Sequence, residues 1–137
     1  MTPRINKPQE RKTHPALPPE VTSALADFQR RLLALFPNEI SQLILFGSYA
    51  RGEAAPDSDV DVMVVVKWNE ERLPGGYWRS SISDSRWQSI IEAATDTLLE
   101  AGLEIAPIVI GQERYEEGFS LVHRVRKEGQ ILWTSPN

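Results

Sequence analysis

The seven residues from Val60 to Val66 constrain the fold more than any other segment of this 137-residue chain. They read VDVMVVV, so beyond Asp61 both faces of an extended strand are apolar. A strand with two apolar faces needs cover on both sides, which is typical of an inner strand in an α/β protein. We therefore expect this strand to be central and buried, with its acids where the strand begins.

Helical and extended patterns alternate along the rest of the chain. After Pro18 and Pro19 an apolar stripe at helical spacing predicts a helix that runs toward Phe36. The other predicted elements are helices near 84–101 and 119–128 and strands near 42–46, 60–66, 103–110 and 130–133. The connection from Lys67 to Ser83 shows neither pattern. This order predicts an α/β (α+β) sandwich with a mixed sheet and helices mainly on one face.

Two aspartates stand at the start of the predicted central strand. Because side chains alternate along an extended strand, Asp59 and Asp61 point to the same face and Val60 points to the other. Two carboxylates this close repel, which raises the pKa of one of them unless a cation or solvent compensates. Mg²⁺ prefers oxygen ligands and commonly binds through one or two carboxylates plus substrate phosphates and waters. The pair predicts a magnesium site, although an isolated Asp-x-Asp is more often a solvated turn.

A Gly-Ser pair precedes the acids. Residues 43–46 read as a short buried strand that ends at Gly47, and a helical turn follows. Gly47 would let a phosphate approach the main chain, Ser48 would add a hydroxyl donor, and the helix start would add a favourable dipole. Arg51 would supply a cation, or would instead pair with Glu53. Together with the acids, the pair predicts metal-assisted phosphoryl-type transfer, in which two metal ions hold the attacking and leaving oxygens in line.

A third acid commonly helps to hold such metal ions, and Glu104 is the candidate. It stands near the start of the apolar segment 103–110, and its alternation matches that of Ala106 and Ile108. If this strand lies beside the strand of Asp59, Glu104 comes to about the height of the aspartate pair.

These residues resemble the minimal nucleotidyltransferase family of the DNA polymerase β-like superfamily, whose signature is Gly-Ser, ten residues and Asp-x-Asp. Here Gly47-Ser48 is followed by ten residues and then by Asp59-Val60-Asp61. The order of later elements is also similar, over roughly residues 20–134. The resemblance implies metal binding by Asp59, Asp61 and Glu104, and phosphate binding by Gly47 and Ser48. Many members carry an aspartate before a hydrophobic pair where this chain has Glu104.

The resemblance also implies an activity. Members transfer a nucleoside monophosphate from a nucleoside triphosphate to a hydroxyl, with release of pyrophosphate, and ATP with two Mg²⁺ ions is our leading expectation. Small stand-alone members resemble antitoxins that accompany a helical toxin of the HEPN ribonuclease class and transfer AMP onto a toxin tyrosine. We expect such a toxin as the partner here. The alternatives are an inactive antitoxin that neutralises by contact, and a nucleotidyltransferase similar to those that adenylylate aminoglycosides.

Composition and charge disfavour several further classes of protein. Residues 1–18 carry four basic residues and one acid, a net charge of +3, so the rest must carry −7 to give the chain its −4. An acidic body disfavours broad nucleic-acid binding. The absence of cysteine excludes disulfides and agrees with a reducing cytoplasm, and neither a signal peptide nor a membrane span is visible. We expect a cytoplasmic protein, with a flexible basic proline-rich tail at 1–18 and one nucleotidyltransferase domain at 19–137.

Overall fold

The computed structural model of the protein describes residues 14–79 and 84–136. The helices are α1 (Pro19–Leu35), α2 (Gly47–Arg51), α3 (Ser85–Ala101), α4 (Gln112–Glu117) and α5 (Ser120–Glu128). The strands are β1 (Ile40–Phe46), β2 (Val60–Val66), β3 (Ile105–Gly111) and β4 (Gln130–Thr134). Residues 1–13 of the predicted tail and residues 80–83 of the predicted connection lie outside the described residues.

In the described part of the chain, the strands form one mixed sheet in the order β3-β2-β1-β4. β1 runs antiparallel to both β2 and β4, whereas β2 and β3 are parallel. β2 is therefore an inner strand, and each residue from Val62 to Val66 is at most 1% exposed. The prediction drawn from its two apolar faces is confirmed.

The two longest helices, α1 and α3, pack side by side on one face of the sheet. α1 starts at Pro19, whose fixed φ suits the first helical turn. α3 starts after Asp84, whose side chain accepts a hydrogen bond from the Arg86 amide at 2.8 Å, and it ends at Gly102 in a left-handed conformation. The main core between these helices and the sheet includes Leu25, Phe28, Leu32, Leu43, Leu45, Val62, Val64, Ile90 and Ala94.

The other face of the sheet carries a thinner helical layer. α5 packs Val122 and Val125 against this face, and the second core that results also contains Ile44, Phe46, Met63, Val65 and Ile110. The layer leaves Ile108 of β3 40% exposed. Helices thus lie mainly on one face, as predicted, and α5 adds a smaller core on the other.

Some details differ from the sequence prediction, and β1, for example, begins at Ile40 instead of Gln42. The six residues of α4 have no buried side chain, so the segment lacks the apolar stripe by which a helix is recognised. β3 begins at Ile105 instead of Leu103, although the carbonyl of Glu104 already accepts a hydrogen bond from the Val60 amide at 3.0 Å. Among the described residues, no helix combines the length and apolarity that crossing a membrane requires.

Candidate active site

The two aspartates lie at the beginning of β2, on the thinly covered face of the sheet. Asp61 is the second residue of the strand, and Asp59 directly precedes it. Side chains of β2 alternate between the two cores: Val62 and Val64 belong to the core under α1 and α3, whereas Met63 and Val65 belong to the core under α5. By the same alternation both aspartates point toward the α5 side. Asp59 is exposed and Asp61 is half-buried.

The predicted phosphate turn lies directly against Asp61. Phe46, the last residue of β1, pairs with Asp61 across the antiparallel ladder, so Gly47 is the next residue beyond this pair. A Cβ atom added to Gly47 would lie 2.2 Å from Oδ2 of Asp61, and Gly47 itself has a φ of +77°. Only glycine satisfies both the steric contact and the left-handed backbone. The Gly-Ser turn and one metal-binding candidate are therefore in van der Waals contact.

α2 begins at Gly47 and continues this turn as a helix of five residues. Its first amides have no partner within a helix, and in the described part of the chain no side chain caps them. Ser48 is half-buried, and its carbonyl accepts a hydrogen bond from the Glu53 amide at 2.8 Å. α2 ends at Gly52, which adopts a left-handed conformation. The segment therefore offers backbone donors beside the carboxylate of Asp61.

The electrostatic environment of Asp61 suits a bound cation. Burial raises the pKa of the Asp61 carboxyl, the negative charge of Asp59 raises that pKa further, and Arg51 opposes the shift. A divalent cation would relieve both unfavourable effects, because it compensates lost hydration and like-charge repulsion together. Asp59 and Asp61 supply hard carboxylate oxygens. Two such carboxylates are the partial shell with which Mg²⁺ commonly binds beside phosphate oxygens. The residues present thus fit a magnesium-nucleotide complex.

Arg51 is held between two glutamates. Its Nε donates to Glu53 at 2.9 Å, and one terminal nitrogen donates to Glu128 at 3.0 Å. The ion pair with Glu53 is the second interpretation that the sequence allowed. Sequence reasoning missed Glu128, which is the last residue of α5 and lies 77 positions along the chain. One signal was present, because an acid at a helix C-terminus is unfavourable with the helix dipole unless a cation compensates it.

Glu104 lies beside the aspartates in the sheet, but the carboxylates do not form a cluster. In the parallel ladder Val60 pairs with Ile105, so Glu104 stands one step before this pair, level with Asp59. Its side chain is exposed. Across the residues that the structure describes, no group of three or more histidine, cysteine, aspartate or glutamate side chains is close enough to hold a metal ion. The role of Glu104 as a third metal ligand stays a prediction.

The exposed carboxylate of Asp59 and the half-buried carboxylate of Asp61 do not line the groove beside α5. That groove, of about 510 Å³, lies between α5 and β4 and includes Ile44, Val125 and Ile131. None of the site residues predicted from the sequence contributes to it.

A mixed sheet, a Gly-Ser turn after its first strand and two carboxylates on the next strand define the nucleotidyltransferase class of enzymes. The sequence profile of the nucleotidyltransferase domain matches residues 25–131, and the chain belongs to this family.

The chain is also similar to individual named proteins. The chain is 29% identical over 112 residues to a protein of Methanocaldococcus jannaschii that is provisionally named a protein adenylyltransferase, covering 80% of this chain and 95% of the relative. A second protein of that organism with the same provisional name is 30% identical, covering 66% and 79% respectively. Among solved structures, a toxin-antitoxin complex with AMP-PNP aligns with a TM-score of 0.49 at 18% identity, covering 80% of this chain and 73% of that one.

Proposed function

We propose that this nucleotidyltransferase transfers AMP from ATP to a hydroxyl of a partner protein, and that the partner is a helical toxin of the HEPN class whose activity the transfer blocks. The contact between Gly47 and the carboxylate of Asp61 carries the first part of this proposal, because it joins a phosphate-binding turn to a metal-binding carboxylate. The provisional names of the two archaeal relatives support AMP as the group and a protein as the acceptor.

In this proposal Asp59 and Asp61 hold Mg²⁺, with Glu104 as the third ligand. Two such ions, when bound, neutralise phosphate charge and keep the attacking and leaving oxygens in line. The amides and hydroxyl of the Gly47–Ser48 turn bind the phosphates that leave, and Arg51 adds positive charge close to Asp61.

The chemical change is a single displacement at phosphorus. The oxygen of the acceptor hydroxyl forms a bond to the α-phosphorus, and the bond from that phosphorus to the bridging oxygen breaks. Pyrophosphate leaves with the electron pair of that bond, and the hydroxyl proton passes to a carboxylate of the site. No side chain of this chain becomes covalently modified.

A direct test is to incubate the full chain with Mg²⁺, ATP labelled at the α-phosphate and a co-encoded helical toxin. We expect label on the toxin, and we expect Asp61→Asn to reduce the labelling rate by at least about 100-fold, because the metal loses a ligand. Asp57→Asn is the matched control. Asp57 is an exposed acid in the connection that precedes β2, and its substitution should leave the labelling rate unchanged.

The same experiment separates the rival functions. Neutralisation of the toxin without label, equally strong in Asp61→Asn, would identify a binding antitoxin; the lack of a three-acid cluster among the described residues favours this second candidate. Label on an aminoglycoside in the absence of any protein partner would identify a small-molecule enzyme. Either outcome replaces the proposal.

A further inference from the structure

The outward surface of α1 and α3 carries opposite charges on its two helices. A groove of about 330 Å³ lies between them, with Arg30 and Arg31 on the α1 side and Glu92 and Asp96 on the α3 side. The side chains of Arg30 and Asp96 are 68% and 56% exposed. Glu92 is also exposed, and it forms no ion pair within the described part of the chain. We call the surface around this groove the α1–α3 face.

Exposed leucines lie at the two ends of the α1–α3 face. Leu35, the last residue of α1, lines the groove and is 51% exposed. Leu99 follows Asp96 by one turn of α3 and is 79% exposed, the highest value among the large apolar side chains that the structure describes. Exposed apolar groups rimmed by polar residues can mark an interaction surface, whereas single ones are normal. The pattern of charge therefore has to identify the partner.

The two helices are antiparallel, which fixes where the charges lie along the face. Arg31 lies 3.8 Å from Asp96. Leu35, one turn later in α1, shares the groove with Ser89, two turns earlier in α3. A two-fold axis along the groove would put α1 of one copy over α3 of another and keep each residue at its own height. The basic residues of each α1 would then face the acidic residues of the other copy's α3.

We infer that the α1–α3 face binds a second copy of this chain as a two-fold dimer; the inference goes beyond the proposed function and does not depend on it. The face is complementary to itself, because one rotation brings both sets of opposite charges together. A partner of uniform charge is repelled by one of the two helices.

The size of the face sets the strength of the dimer. Each helix has 17 residues, so it is about 25 Å long, and two helices side by side are about 20 Å wide. The footprint is therefore roughly 500 Å² on each copy, or about 1,000 Å² in total, which is near the lower limit for a specific interface. We expect a dissociation constant between about 1 and 100 μM.

This dimer leaves both candidate active sites accessible. Asp59 and Asp61 point toward the face of the sheet on which α5 packs, whereas α1 and α3 cover the opposite face. The two sites of the dimer would thus lie on its outer surfaces and point away from each other. Each copy keeps its site free for a partner molecule.

Sedimentation equilibrium of the full chain with two charge-reversal variants tests the inference. Arg30→Glu puts an acid opposite the acids of an identical copy, and Glu92→Arg puts a base opposite the bases. Each variant alone should associate at least about tenfold more weakly than wild type. An equimolar mixture should form heterodimers of nearly wild-type affinity, because the first variant retains Glu92 and the second retains Arg30.

Arg124→Glu is the matched control, since Arg124 is an exposed arginine on α5, on the other face of the sheet. Its substitution should leave the dimer unchanged. Circular dichroism checks that each variant is folded, and recovery of association in the mixture shows independently that both variants are.

Four results overturn the inference. A wild-type chain that stays monomeric at about 1 mM does not pair through this face. If that monomer binds a co-encoded toxin and Arg30→Glu weakens the binding, the face belongs to the toxin. A dimer that Arg30→Glu and Arg124→Glu leave equally strong has its interface elsewhere. Variants that remain monomeric when mixed do not bring these charges together. Since association needs no nucleotide, the result is independent of whether the chain transfers AMP.

Discussion

At the scale of single residues, Gly47 has no room for a side chain. Its φ of +77° lies in the left-handed region, and its Cα faces Oδ2 of Asp61 with no room for a methyl group. Gly102 at the end of α3 has nearly the same φ, +78°, but nothing lies within 4 Å of the position of an added Cβ. The two glycines therefore separate backbone strain from steric contact.

We predict that Gly102→Ala lowers the free energy of unfolding by about 1 kcal/mol, the cost of left-handed backbone alone. Gly47→Ala should cost roughly 2–4 kcal/mol, because the Asp61 side chain has to move as well, and it should also abolish binding of magnesium and a nonhydrolysable ATP analogue. Urea denaturation measures the free energies of unfolding, and calorimetric titration measures binding of the nucleotide analogue. Equal losses of stability in the two variants would show that the contact with Asp61 has no energetic consequence.

At the scale of elements, a polar contact joins α1 to α3 beside the main core. Asp27 of α1 accepts hydrogen bonds from Arg31 Nε and from the Thr97 hydroxyl of α3, both at 2.8 Å. The Asp27 side chain is 11% exposed, and Thr97 is fully buried. The hydrogen bond from Arg31 is the main cause of a lowered pKa at Asp27; burial opposes the shift and Thr97 reinforces it.

This contact predicts a pH dependence of stability. Because the Asp27 pKa is lower in the folded than in the unfolded state, the ionised carboxylate stabilises the fold above the unfolded-state pKa, and this stabilisation is lost as pH falls through the folded-state pKa. We expect Asp27→Asn to lower the free energy of unfolding by about 1–3 kcal/mol at pH 7. The difference from wild type should shrink below about pH 4.

Urea denaturation at pH 7 and at pH 3 measures this difference. Asp96→Asn is the control, since Asp96 is 56% exposed and lies 3.8 Å from Arg31, and it should change stability by less than about 0.5 kcal/mol at either pH. A difference between wild type and Asp27→Asn that stays constant down to pH 3 would mean that the charge of Asp27 does not contribute.

At the scale of the whole molecule, the distribution of charge disfavours binding to nucleic acid. The chain carries −4 overall, and the positive excess is confined to residues 1–18. Several basic side chains among the described residues are engaged with acids, including Arg51 with Glu53 and Glu128, and Arg31 with Asp27. Nonspecific binding to nucleic acid depends on basic groups that neutralise phosphates, and the ion pairs of the described residues compete with that role.

We therefore predict that the full chain binds a labelled 20-base-pair DNA duplex with a Kd weaker than about 10⁻⁴ M at physiological salt. Fluorescence anisotropy measures this affinity, and binding of magnesium and a nonhydrolysable ATP analogue by the same preparation serves as the control for folded protein. Micromolar affinity that decreases steeply with added salt would instead identify a nucleic-acid partner.

Much of the fold was predictable because the relevant patterns are local. The apolar stripe after Pro19 predicts α1, and the unbroken apolar run after Asp61 predicts an inner strand. The contact of Arg51 with Glu128 was not predictable in the same way, because it depends on how α5 packs against α2 across 77 positions of the chain. α4 escaped prediction because Tyr115 is its single apolar residue: it packs partly buried against the second core but forms no apolar stripe.

The sequence alone determined that Asp59 and Asp61 share a face, because alternation of side chains is a property of any extended strand. It also placed a Gly-Ser turn ten residues before them. Only the tertiary structure decided that this turn touches Asp61 and that Glu104 stands level with Asp59, since both depend on which strands are neighbours and in what register. Neighbours and register follow from the free energy of packing the whole sheet between its helices, to which segments distant in sequence contribute together.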